Sequence, residues 1–161
     1  MAQGLFRGLG AALAVAGALI APALAAEPPK SDEDALKPAL ADLMTLTQLR
    51  HYKLWYAQKV ENWELSQYEL DRFRSTIERI AKLYPEASSV AQAKLIREKS
   101  DPALDEIAKG IAGKNQQIFE SGFLKLTDAC NQCHKAAGFS FIAIQVPTRS
   151  PYANQNFEPA K

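Results

Sequence analysis

The sequence predicts an all-α fold, an antiparallel four-helix bundle with an extended C-terminal tail, on three observations. Apolar residues recur at 3–4-residue spacing over several segments. Asparagine, aspartate, proline and glycine fall between those segments, where helices start and stop. The only β-branched and aromatic run comes after the last periodic segment and is followed by prolines.

The chain begins outside that bundle. After Arg7 an uncharged run from Gly8 to Ala26 closes on Ala23-Leu24-Ala25, the small-x-small pattern read by a signal peptidase. Residues 1–25 are expected to be a signal peptide and 26–161 the mature domain. The small-residue composition and cleavage pattern favour a removed segment over a transmembrane anchor, so no stable membrane span is expected once it is cleaved. Its removal takes away one of 19 basic residues and none of 18 acidic ones. A near-neutral mature chain argues against a nucleic-acid partner. The remaining ~135 residues suffice for one domain with one core. Export points to the periplasm, an oxidising compartment.

Ser31-Asp32-Glu33-Asp34 offers an N-cap with acids in the first turn, and Pro38 fits only near a helix start. The first stripe is Leu36, Leu40, Leu43, Thr47, His51 and Leu54, widened by Met44, Trp55 and Ala57, and ends near Lys59. Asn62 can cap a second helix after a short turn, which makes the two helices antiparallel neighbours. Its stripe is Ser66, Leu70, Phe73, Ile77, Ile80 and Tyr84, stopped by Pro85. Glu64, Glu69, Asp71, Arg72, Arg74 and Glu78 are read as solvated surface. Ser88 to Lys99 reads as a short helical connector contributing Val90, Leu95 and Ile96. Asp101-Pro102 signals a restart, with Asp101 as N-cap. The third helix takes Leu104, Ile107 and Ile111 and weakens at Gly110 and Gly113. Asn115 can cap the fourth, whose stripe runs Phe119, Phe123, Leu126, Cys130, Cys133 and Ala137. Gly138 is its expected terminator. From Phe139 to Pro147 the chain reads as an extended segment laid back over the bundle, with a surface wrap or fraying as the competing reading beyond Ser150.

One pentapeptide on the fourth stripe carries chemistry: Cys130-Asn131-Gln132-Cys133-His134. Its cysteines are the only two in the chain and its histidine is one of two. Cys-x-x-Cys-His is the attachment signature of a c-type haem, with two thiols for the porphyrin vinyl groups and an adjacent imidazole for the iron. A thioredoxin-like disulfide lacks a βαβ context here, and a structural zinc site lacks a second cysteine pair. One covalently bound haem c, held by Cys130 and Cys133 with His134 as axial iron ligand, is the reading these residues support. Both cysteines lie on the inner stripe, so the haem is expected inside the bundle.

Four helices with this motif near the end of the last resemble the cytochrome c prime class of haem bundles. Arg50-His51-x-Lys53-Leu54-Trp55, Asn62-Trp63-x-Leu65, Tyr68-Glu69-Leu70, the pentapeptide and Ser150-Pro151-x-x-Asn154-Gln155-x-Phe157 resemble, over nearly the whole mature chain, a family of exported bacterial proteins described only as c-type cytochromes. The resemblance implies the bundle fold and covalent haem, and a homodimer through the outer faces of the first two helices, although no distinct apolar patch marks those faces. The chain departs from the cytochrome c prime pattern in its long tail and in having Leu40 where an arginine precedes the residue facing the open iron, if that residue is Met44.

The second axial position is the remaining question. Met44 and His51 are the mature chain's other soft donors, seven residues apart on one face and roughly 10 Å apart along the axis, so only one can meet the iron. His51 is the first candidate and Met44 the alternative ligand, with an open position weighed between them. Both sites filled suits one-electron transfer between redox protein partners. An open iron suits binding of NO, CO or peroxide, and a haem-bearing subunit of a larger redox complex is the third reading. The sequence suggests no acid–base group at the haem beyond His51 and exposed carboxylates, so an enzyme is not expected.

Overall fold

The computed structural model describes residues 36–86, 90–149 and 154–159. The expected signal peptide and the Ser31 cap lie outside the described residues. Four main helices account for most of the rest, and no strand forms among the described residues. They are α1 (Leu40–Lys59), α2 (Trp63–Leu83), α3 (Asp101–Ala112) and α4 (Gln116–Ala136).

Three helix ends share one construction. At the end of α1 the Asn62 amide donates to Ala57 O and the Glu61 amide to Gln58 O. At the end of α3 Asn115 and Lys114 repeat this with Gly110 O and Ile111 O, and at the end of α4 Phe139 and Gly138 do so with His134 O and Lys135 O. These paired bonds are Schellman motifs, which need a left-handed residue just past the helix. Glu61, Lys114 and Gly138 supply it at φ 55°, 46° and 81°. Asn62 and Asn115 then serve twice, since each side chain also accepts from the amide three residues on, Leu65 and Ile118, at 3.0 Å. A turn of three residues therefore reverses the chain, and α1–α2 and α3–α4 form two helical hairpins.

The core is built from the expected stripes. Leu43, Leu54, Leu70, Phe73, Ile77 and Ile80 pack with Leu104, Ile107, Ile111, Phe119, Phe123 and Leu126. Leu36 does not join them; it is 83% exposed, because α1 starts only after Pro38. Glu69 is not solvated surface either. It is 2% exposed and accepts from Arg50 Nη1 at 3.2 Å, which lets a charge stay at the α1–α2 interface. Arg74 likewise reaches Asp105 at 2.7 Å and ties α2 to α3.

Asp101 is not an N-cap. A one-turn helix, Gln92–Leu95, widens into the π segment Ile96–Ser100, whose last carbonyl bond takes the Asp101 amide to Ile96 O, and the chain enters α3 without a break. Pro102 has no amide to donate and sits where the wider turn hands over to the α-helix. Gly110 does not weaken α3 but lets α4 approach it. A Cβ there would lie 2.5 Å from the Phe119 amide nitrogen, and one at Gly122 would lie 2.8 Å from that of Ile107.

After Gly138 the chain does not extend at once as expected but makes a further turn, the Ile142 amide donating to Phe139 O at 2.8 Å, before running on without regular structure from 143; its far end is held. Tyr52 OH donates to Arg149 O at 3.2 Å, and Asn62 Nδ2 donates to Phe157 O at 2.9 Å. Phe157 is buried against Tyr56. The reading of a frayed end therefore fails for residues 154–159, because a buried aromatic anchor and the half-buried Asn62 amide offset the cost of ordering them. Among the described residues no helix is long and apolar enough to cross a membrane.

Candidate functional site

Three contacts register α1 against α4. Lys59 meets Glu120 at 3.3 Å, the Trp55 ring lies 4.8 Å from that of Phe123, and His51 Nε2 lies 2.9 Å from Thr127 Oγ1. Residue numbers fall along α1 as they rise along α4. Continuing that register brings Gln48 to the level of Cys130 and Met44 to the level of His134. Here the helices part around a cavity of about 580 Å³. That is within the usual range for a small-molecule or cofactor site, roughly 300–1,000 Å³.

The pentapeptide forms one wall through Cys130, Cys133 and His134, and α1 forms another through Met44, Thr47, Gln48 and His51. Phe73, Ile77 and Ile80 come from α2, Leu95 and Ile96 from the segment before α3, and Phe139, Ile142 and Ile144 from the tail. All five residues expected at the site therefore line one cavity, although the sequence separates them by up to 90 positions. The lining is mainly apolar, and the buried Gln92 Oε1 has no hydrogen-bond partner.

The two histidines are held differently. His134 Nδ1 lies 2.7 Å from Ile142 O, so it donates and leaves the lone pair on Nε2. His51 is 2% exposed, and its ring lies tilted against that of Phe123 with centroids 4.3 Å apart. Thr127 Oγ1 donates its single proton to Phe123 O at 2.9 Å, so it accepts from His51, whose neutral proton sits on Nε2. Burial lowers the His51 pKa to about 4, which keeps the ring neutral.

Burial pushes the Cys130 thiol up to about 12, with Cys133 adding to the shift, and burial also raises Cys133 against the opposing effect of Lys99. Cys-x-x-Cys oxidoreductases depend on the opposite, a lowered thiol pKa. Asn131, which the sequence offers only as one of the positions carrying the family resemblance, brackets Ile144 with its side chain, accepting from the amide at 2.7 Å and donating to the carbonyl at 2.8 Å. Thr127 was missed as well; a hydroxyl four residues after Phe123 on an otherwise apolar stripe was the available signal.

No group of three or more His, Cys, Asp or Glu capable of holding a metal ion occurs among the described residues. No protein-family model, curated protein or solved structure matches the chain.

Proposed function

We propose that this chain is a periplasmic c-type cytochrome, an antiparallel four-helix bundle that carries single electrons between redox proteins. The observation that carries the reading is the convergence of Cys130, Cys133 and His134 on one apolar cavity, with His134 Nε2 left free for a metal. A porphyrin brings four nitrogen ligands of its own, so the protein need supply only the axial ones. Residues and cavity thus fit haem c: Cys130 and Cys133 would hold it covalently and His134 would ligate its iron. Haem, when bound, supplies a one-electron couple.

The chain's own part is to orient and to exclude water. The Ile142 carbonyl holds the His134 ring in the tautomer that presents Nε2, and such outer contacts raise ligand basicity. Leu95, Ile96 and the α2 side chains keep the cavity apolar, which disfavours charge change there and so tunes a reduction potential. Met44 rather than His51 would be the protein's second donor to the haem iron. It lies at the level of His134 in the α1–α4 register, whereas His51 lies at the level of Thr127 with its Nε2 engaged as a donor.

Purified protein is expected to carry one covalent haem by mass and absorbance and to be low-spin in both oxidation states. Met44→Ala should abolish the near-infrared sulfur-to-iron charge-transfer band and yield a high-spin form, while His51→Leu keeps the band. Absence of bound haem after export through a haem-attaching host would sink the reading. A second reading, a gas-binding module with an open sixth position, draws on the apolar wall around Met44; it requires a high-spin ferrous wild type that takes up CO at once.

A further inference from the structure

We infer that Asn131 is a positioning residue for His134, acting through the C-terminal tail; the inference rests on the reading that His134 ligates haem iron. Asn131 stands between the two cysteines, where the attachment motif accepts any residue. Its amide nevertheless grips the Ile144 peptide from both sides, Oδ1 accepting from the amide at 2.7 Å and Nδ2 donating to the carbonyl at 2.8 Å. Two residues earlier in the same segment, Ile142 O receives the His134 Nδ1 proton at 2.7 Å.

Beyond that pair of bonds the stretch has local support, the Ile142 amide donating to Phe139 O at 2.8 Å, and Val146 packs against the core at its far end. Phe141 is 78% exposed and Phe139 and Ile142 are also exposed, so residues 139–142 bury little apolar surface with which to order themselves. The Gly138 turn and the Phe139–Ile142 turn aim the chain back towards α4, and Asn131, by holding Ile144, fixes the far side of Ile142 against the imidazole. A carbonyl held against Nδ1–H makes the ring a stronger donor to iron and stabilises the ferric state. The neighbouring Gln132 reaches only Asp128 on its own helix surface, so it serves as an internal control.

The experiment compares wild type, Asn131→Ala and Gln132→Ala holoprotein by redox titration and by amide hydrogen exchange across residues 139–146. The Ile144 amide should be protected in wild type and in Gln132→Ala. In Asn131→Ala its exchange should rise at least tenfold and the potential should shift upwards, with Gln132→Ala unchanged in both. An unprotected Ile144 amide in wild type would overturn the inference without recourse to any variant. So would an Asn131→Ala protein with loosened exchange and an unmoved potential, or one whose shift Gln132→Ala equals. These outcomes are separate from failure of the haem reading, which would show as wild-type protein without bound haem.

Discussion

His51 shows how one side chain is fixed by its surroundings. Burial lowers its pKa from 6.5 to about 4, so between those values the unfolded chain binds a proton that the folded one refuses. Below the window both states are protonated and above it neither is. Stability should therefore rise with pH from about 4 to 6.5, by roughly 3–4 kcal/mol at most, and be flat in this residue's contribution outside that range. Urea midpoints measured across the window check it, and His51→Leu should remove the slope. Glu69 makes a related point about charge. Arg50 lies beside it with a fifth of its side chain exposed, so the guanidinium can reach water while the carboxylate, 2% exposed, depends on its partner.

At the level of elements, the two hairpin turns are alike. Each spends one non-glycine residue in left-handed backbone, Glu61 and Lys114, and follows it with an asparagine that closes one helix and caps the next. A side chain at positive φ costs about 1 kcal/mol relative to glycine. Glu61→Gly and Lys114→Gly should each stabilise the protein by about 0.5–1 kcal/mol, read as higher denaturant midpoints at unchanged slope. A lower midpoint would mean that these side chains contribute contacts outweighing the strain. The stripes of α1, α2 and α4 and both asparagine caps were legible in the sequence, because helical period and cap chemistry are local. Glu69 and Asp101 were misread for the opposite reason. A carboxylate's burial depends on a partner 19 residues away, and the helix path through Ser100 and Asp101 depends on a π turn that local propensity does not specify.

For the molecule as a whole, the tail joins two distant places. Near Gly138 it lines the cavity with Phe139, Ile142 and Ile144, and at its far end it docks Phe157 beside the α1–α2 turn. Phe157 keeps only 8% of its surface exposed, and its loss should cost about 2 kcal/mol. Phe157→Ala should thus lower the denaturation midpoint while leaving the spectrum and potential of the proposed haem as in wild type, since Asn131 holds the cavity end separately. A changed spectrum would show that the two ends of the tail act as one strap.

The sequence by itself determined the four main helical segments, the caps at Asn62 and Asn115 and the Cys-x-x-Cys-His pattern of Cys130, Cys133 and His134, because spacing along one chain suffices for each. It could not separate Met44 from His51, which share a stripe seven residues apart. That depends on how α1 is registered against α4, and the register is set by pairs far apart in sequence, Lys59 with Glu120, Trp55 with Phe123 and His51 with Thr127. Only tertiary packing brings those pairs together, so only the folded structure decided that His51 meets a threonine and that Met44 lies level with His134.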